Sequence, residues 1–371
     1  MTTIDTLYET FDIYLREAEK YLKDKHYELA KKCYLQAAMQ MLKIAKQNNG
    51  ELQKAQYKRA KALIEKAEGL SVEKTSNENN VKKPDIAIKE TKKVTIEEAL
   101  KELNALIGLD NVKSQISEWV NQIKIFKIRQ ERGYKNPPIT YHLVFLGNPG
   151  TGKTTVARII AQIYKALGII SKGQLVEVDR GDLVAGYVGQ TALKTKEVLK
   201  AAKGGVLFID EAYTLGGGER SGNDFGKEAV DTILKAMEDY RDDLVVIVAG
   251  YTDLMLDFIK INPGLQSRFK THIVFDDYCG SEMYDIFLKF CKDSQYVLDK
   301  ETEEALQSYF RQLYLNRGSN FGNAREVRNI FENSIVRQSN RVARIDDPTD
   351  VDIATIKKCD LSIDWKLIEK E

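Results

Sequence analysis

The run Gly147-Asn148-Pro149-Gly150-Thr151-Gly152-Lys153-Thr154 sets three glycines, a lysine and two threonine hydroxyls within eight residues. Four apolar residues, Leu143 to Leu146, precede it, and a helical pattern from Thr155 to Leu167 follows. Glycines at this spacing let backbone N–H groups converge on phosphate oxygens at the start of a helix, where the dipole also favours negative charge. In such a loop Lys153 neutralises the outer phosphates, Thr154 offers its hydroxyl to magnesium, and Thr155 stands beside it at the helix start. A second constellation is Asp210-Glu211, which closes the apolar run Val206 to Ile209. A buried strand would deliver both acids to the carboxyl end of a sheet, where open α/β folds bind their ligands. There Asp210 suits magnesium and Glu211 can polarise an attacking water.

Both constellations need strands to present them. Strand-like runs occur at Tyr141 to Gly147, Leu175 to Asp179, Gly205 to Asp210, Leu244 to Gly250 and Thr271 to Phe275, with helical patterns between them. That alternation predicts an α/β fold with a five-stranded parallel sheet wrapped by helices. Beyond Asp276 only helical patterns appear, which predicts a separate helical unit over 278–371. Before the sheet, Thr95 and Glu98 fit a capping box that starts a helix continued by Ala99, Leu100, Leu103 and Leu106. The segment 71–94 is polar and charged, too poor in large apolar residues to offset its ordering entropy, and reads as a flexible linker. Residues 1–70 carry three amphipathic stripes: Leu7, Phe11, Tyr14, Ala18 and Tyr21; Ala30, Tyr34, Ala37, Met41 and Ala45; Leu52, Ala55, Leu63 and Ala67. None can bury its stripe alone, so a helical bundle is expected, with turns near residues 23–25 and 48–50. The sheet and its helices then occupy 95–277.

Across 371 residues, 56 Lys+Arg balance 55 Asp+Glu, for a net charge of +1. That balance, and the lack of an interleaved basic and aromatic patch, argues against a nucleic-acid partner. No apolar run approaches the roughly 20 residues of a membrane-spanning helix. The opening Met-Thr-Thr-Ile-Asp-Thr has neither the basic nor the apolar region of a secretory signal, so a cytoplasmic protein without membrane insertion is expected. Cys33, Cys279, Cys291 and Cys359 never approach a CxxC spacing and read as small buried apolar filler. His26, His142 and His272 are too scattered to suggest a zinc site.

Two further segments extend the pattern: Asn262-Pro263-Gly264-Leu265-Gln266-Ser267-Arg268-Phe269, and the helix start Asn323-Ala324-Arg325. With the phosphate loop and the Asp-Glu strand, these resemble the AAA+ ATPases. Asp210-Glu211-Ala212-Tyr213, Asp224-Phe225-Gly226-Lys227-Glu228-Ala229 and Met237 to Leu244 are similar to the CbbX and stage V sporulation protein K subfamily. The resemblance covers about residues 95 to 365. It implies an ATP hydrolase that takes ATP and Mg2+, assembles as a homo-oligomeric ring, most simply a hexamer, and remodels a protein client. It also implies roles residue by residue. Ile107, Gly108 and Leu109 match the segment beside adenine. Arg268 matches an arginine finger presented to a neighbouring subunit, a task suited to a planar, permanently charged guanidinium. Arg325 matches the lid arginine that reaches the γ-phosphate; read by itself it would decorate a helix capped by Asn323. The first sensor falls on Tyr251, with Thr252 as the other candidate, where the wider family carries Asn, Thr or Ser. Tyr187-Val188-Gly189 resembles the aromatic pore loop of ring-shaped machines, and the glycine-rich run Gly216 to Asn223 suits either a second pore loop or a solvated insertion. In the bundle, Tyr27, Ala30, Tyr34 and Ala37 resemble tetratricopeptide-type hairpins or microtubule-interacting and trafficking bundles, and equally fit ordinary helix packing. Two rival readings remain: an ATP-switched scaffold that binds a partner through the bundle without threading, and a nucleic-acid motor.

Overall fold

The three amphipathic stretches at the start of the chain form α1 (Ile4–Lys23), α2 (Tyr27–Gln47) and α3 (Gly50–Gly69). The computed structural model describes residues 4–23, 27–48, 50–69, 94–185, 190–216 and 225–367. Tyr187, Val188 and Gly189, the glycine-rich run after Gly216 and nearly all of 71–94 lie outside the described residues. The chain divides into two compact units, Met1–Lys82 and Lys83–Glu371.

In the first unit Leu7, Phe11 and Ala18 of α1 are buried, as are Ala30, Tyr34, Ala37, Met41 and Ala45 of α2, along the stripes the sequence predicts. Helix α3 departs from its stripe. Leu52 is 56% exposed and Ala55 is also exposed, whereas Gln56 and Ala60 are buried; farther on, the predicted Ala67 is buried and Leu63 packs against the core. Gln56 turns inward because both ends of its amide find partners: Nε2 donates to the Tyr8 hydroxyl at 2.8 Å, and Oε1 accepts from Asn48 Nδ2 at 3.1 Å. A polar side chain with both valences met loses little by burial, so hydropathy alone misplaces the face by one residue.

The second unit opens with α4 (Ile96–Asn104), whose capping box forms: Glu98 N–H donates to Thr95 Oγ1 at 3.2 Å, and Thr95 N–H to Glu98 Oε2 at 2.8 Å. After α5 (Asp110–Glu131) come β1 (Leu143–Gly147), α6 (Lys153–Ala166), β2 (Leu175–Val178), α7 (Arg180–Leu183), α8 (Thr191–Ala202), β3 (Val206–Ile209), α9 (Phe225–Asp239), β4 (Val245–Gly250), α10 (Thr252–Ile261), α11 (Pro263–Arg268) and β5 (Thr271–Phe275). The five strands are parallel in the order β2-β3-β4-β1-β5. The inner strands β1, β3 and β4 are buried throughout, which explains their unbroken apolar runs. The edge strands β2 and β5 expose Glu177 and His272.

Alternate strand residues divide between two cores. Leu143, Phe145, Phe208 and Ile247 pack with residues of α4, α5 and α6, while Val144, Leu146, Leu207, Val246 and Val248 pack with residues of α7 to α11. The chain leaves β1 for the far edge and returns through β3 and β4 to β1's side. A sheet wound this way opens a crevice at the carboxyl ends of its strands.

Beyond β5, α12 (Gly280–Asp293), α13 (Lys300–Leu315) and α14 (Ala324–Val342) pack around Phe287, Phe310 and Phe331, and α15 (Asp350–Ala354) follows. The expectation of helices alone is corrected here, since β6 (Val297–Leu298) and β7 (Thr355–Ile356) pair in parallel. Two residues per strand are too few to leave a period in the sequence. The cysteine expectation also narrows: Cys291 is buried, Cys33 and Cys279 are half-buried, and Cys359 is exposed.

Candidate active site

The glycine-rich loop joins the end of β1 to the start of α6, so the first-turn amides of a helix and a lysine side chain share one place. Lys153 is 9% exposed, and its Nζ donates to the carbonyls of Gly147 at 2.9 Å and Asn148 at 2.7 Å. Burial lowers its pKa to about 8; Asp210 pulls the other way, and Arg325 adds to the lowering. An anion in the loop would restore the charged form.

Gly150 marks where the lid meets the loop. It has φ +75, and a Cβ there would stand 2.3 Å from the Gly322 carbonyl oxygen and 2.9 Å from Arg325 N. Only a residue without a side chain permits that approach. Ala324 N–H donates across it to Gly150 O at 3.2 Å.

Asn148 and Thr151 turn away from the cleft. Asn148 Nδ2 donates to Asp277 Oδ1 at 2.9 Å, and the buried Thr151 hydroxyl donates to the Asn148 carbonyl at 2.8 Å. They brace the loop from behind.

Across the sheet, β3 ends and the chain turns sharply at Asp210-Glu211. Glu211 has φ 48, a left-handed conformation that costs a non-glycine residue on the order of 1 kcal/mol. Its N–H donates to Asp210 Oδ1 at 3.0 Å, which ties the two acids together. Thr154 donates its hydroxyl to Glu177 Oε1, at 3.3 Å, on the edge strand β2.

A cleft of about 420 Å³ gathers these groups. Gly147, Pro149, Gly150, Gly152, Lys153, Thr154 and Thr155 line one wall, Asp210, Glu211, Gly250 and Tyr251 the strand ends, and Phe290, Ala324, Arg325 and Arg328 the lid side. That volume suits a ligand of nucleotide size. Of the two first-sensor candidates, Tyr251 lines the cleft and Thr252 begins α10 without lining it.

Two further predicted site groups stand elsewhere, and the predicted helix cap Asn323 does not cap. Ile107, Gly108 and Leu109 precede α5 and do not line the cleft, although Leu109 Cδ1 lies 3.6 Å from where a Gly152 Cβ would be. Asn323 precedes α14 with its amide turned away from the helix, so it makes no side-chain cap. Arg268, the last residue of α11, pairs with Glu238 at 3.2 Å and lies outside the cleft of its own chain. Asn262 and Pro263 start α11, with Gly264 N–H donating to Asn262 Oδ1 at 2.7 Å, and the Thr140 hydroxyl donates to the Arg268 carbonyl at 2.8 Å.

Residues 143–277 match the family described as ATPase family associated with various cellular activities (AAA), and residues 280–371 match the AAA lid domain. Stage V sporulation protein K of Bacillus subtilis (strain 168) is 42% identical over 276 residues, which span 74% of this chain and 85% of that protein. The chain belongs to the AAA ATPases. This AAA ATPase is also similar to protein CbbX of Cereibacter sphaeroides, at 47% identity over 66% of this chain and 79% of that protein. The chloroplastic ribulose bisphosphate carboxylase/oxygenase activase of Cyanidioschyzon merolae (strain NIES-3377 / 10D) is 44% identical over 68% of this chain and 86% of that protein. Among solved structures, a RuvB mutant of Thermotoga maritima is similar over 70% of each chain, at 20% identity and a TM-score of 0.43. As a member of the AAA ATPases the enzyme is an ATP hydrolase, and the AAA fold binds nucleotide.

Sequence reasoning missed two of this ATPase's cleft groups, Arg328 and Phe290, and the Thr154 partner Glu177. Arg328 follows Arg325 by three residues, and on a helix that spacing puts both on one face. Phe290 reaches the cleft from α12, with the Arg328 guanidinium 5.3 Å from its ring centre. Glu177 was legible only as the lone acid between Val176 and Val178.

Among the described residues no helix is long and apolar enough to cross a membrane.

Proposed function

We propose that this AAA ATPase assembles as a homohexameric ring and couples hydrolysis of Mg-ATP to remodelling of a protein client. The observation that carries the reading is the position of Arg268. The cleft gathers a loop lysine, two acids and two lid arginines from one chain, yet Arg268 stands outside it, on a surface pair with a carboxylate that is itself 63% exposed. A finger so placed serves the nucleotide of a neighbouring subunit.

Thr154, Asp210 and Glu177 offer hydroxyl and carboxylate oxygens, the hard donors that Mg2+ prefers, and so they fit the ion. Thr154 and Asp210 would hold it directly or through water, and the ion would supply neutralising charge beside the triphosphate. Lys153 holds the outer phosphates, Glu211 orients the attacking water, Arg325 reaches the γ-phosphate from the lid, and Tyr251 steadies the water from the end of β4. Tyr187, Val188 and Gly189 grip the client as an extended chain through generic apolar contacts. The helices α1 to α3 recruit it. The relative named as an activase acts, by its name, on another enzyme, which is the sense in which a protein client is proposed.

The test is the assembly state of the Glu211→Gln protein with ATP and Mg2+, weighed by mass photometry. The expected species is six times the 42.2 kDa chain. A species that stays at one chain's mass in saturating ATP would overturn the ring.

A further inference from the structure

Between β5 and the lid helix α12 the chain passes through Asp277 and Tyr278, and both side chains reach back to the phosphate loop. The Asp277 carboxylate, 18% exposed, takes hydrogen bonds from two sides: from the loop, Asn148 Nδ2 at 2.9 Å, and from the lid, Asn323 Nδ2 at 2.8 Å. Arg317, in the segment before α14, adds its charge at 3.5 Å. Asn323 is fully buried and answers with its other end, accepting from Tyr278 N–H at 2.8 Å. The Tyr278 hydroxyl donates to the Thr151 carbonyl at 3.3 Å. The next two residues after Asn323 are Ala324, bonded to Gly150 O, and Arg325, in the cleft wall.

The carboxylate therefore stands where loop, hinge and lid helix meet, beside a weaker direct contact from Asn323 Nδ2 to the Pro149 carbonyl at 3.4 Å. On the loop side its partner Asn148 presents its carbonyl to Lys153 Nζ at 2.7 Å. On the lid side its partner Asn323 immediately precedes α14. Asn148 and Asn323 cannot donate to each other's amide nitrogen, and neither has another charged acceptor within hydrogen-bond distance among the described residues. One half-buried carboxylate accepts from both. Hydrogen bonds to an ionised acceptor are about twice as strong as neutral ones, so this link is stiffer than the backbone contact at Gly150 alone.

We propose that Asp277 is a positioning residue that locks the start of α14 to the phosphate loop and so fixes where Arg325 stands over the nucleotide. The inference rests on the reading of Arg325 as a group that faces the γ-phosphate. Asp277 touches no substrate and acts through Asn148 and Asn323. When nucleotide moves the loop, the link carries the movement into the lid.

The experiment is a double-mutant cycle on the full chain, reading kcat for ATP with Asp277→Asn, Arg325→Ala and the pair, each checked by its melting temperature. Asp277→Asn keeps the shape and one acceptor oxygen but removes the charge that strengthens both bonds and sets an amide nitrogen against Arg317. Each single change is expected to lower kcat by about tenfold or more, and the pair to fall no further than Arg325→Ala alone, within roughly threefold. Asn148→Ala cuts the same link from the loop side, leaves Asp277 paired to Asn323, and has to give the same non-additivity. Losses that multiply in both pairs would assign Asp277 a purely structural role and overturn the proposal, as would wild-type kcat in a folded Asp277→Asn protein. Wild-type kcat in Arg325→Ala would instead show that the reading of Arg325 is wrong, and this inference with it.

Discussion

Lys153 and Arg268 are both cations of the α/β module, and they are held in opposite ways. Lys153 is buried at the carboxyl ends of the strands, pinned by two backbone carbonyls, and its proton is loosened by burial. Arg268 lies at the end of α11 with its side chain 29% exposed, and its partner Glu238 is on a solvated helix face. A buried, backbone-held group is pre-set for a ligand of its own chain. An exposed ion pair is worth little, on the order of 0 to 1 kcal/mol, so its arginine exchanges partners at small cost. Under the proposed function, the contrast would make nucleotide binding complete within one subunit and turnover shared between two.

The largest effects should separate those two properties. Glu211→Gln should cut hydrolysis by a factor on the order of 10³ or more while ATP still binds, because the amide fills the same space but cannot take the water's proton. Arg268→Ala should lose turnover by a comparable factor, again with binding nearly intact, if the finger acts like those of GTPases. Titration calorimetry beside phosphate release reads both. Loss of binding in Arg268→Ala would break the comparison, since it would place that side chain in its own subunit's cleft.

A smaller effect tests the loop lysine through pH. Phosphate binds the charged amine, and burial in the unfilled cleft sets its pKa at about 8. Nucleotide affinity should therefore hold level below that pH and fall as pH rises through it, approaching tenfold per unit, as the protonated fraction shrinks. Fluorescent-nucleotide titrations between about pH 7 and 10 supply the curve. An affinity that stays level to the end of that range would show that Lys153 keeps its proton without phosphate. The smallest expected effect belongs to Glu238→Gln, which should move stability in denaturant by less than about 0.5 kcal/mol. A loss of several kcal/mol would mean that Arg268 is fixed in place and is no mobile finger.

The parts of the fold legible in the sequence are those with strong local rules. Unbroken apolar runs marked the buried strands β1, β3 and β4, and glycine spacing marked the loop between β1 and α6. Local rules fail where a distant partner decides. Gln56 is buried because Tyr8 and Asn48 meet its amide, and Asn148 faces Asp277, 129 residues away, instead of phosphate. Arg328 and Phe290 enter the cleft only because the lid folds back over the loop, a relation that no window of sequence contains. The Ile107-Gly108-Leu109 assignment came from resemblance; none of the three lines the cleft described above, and Leu109 alone comes near the loop, at Gly152.

The central claim is that each site is completed by a second subunit, and mixing two inactive proteins tests it most directly. Lys153→Ala lacks a competent phosphate loop and keeps Arg268; Arg268→Ala lacks the finger and keeps the loop. Combined, with mixed assembly verified by mass photometry, they should hydrolyse ATP faster than either alone, because some interfaces pair an intact loop with an intact finger. Verified mixed rings with no gain in phosphate release would contradict the account and return Arg268 to its own chain or to the surface.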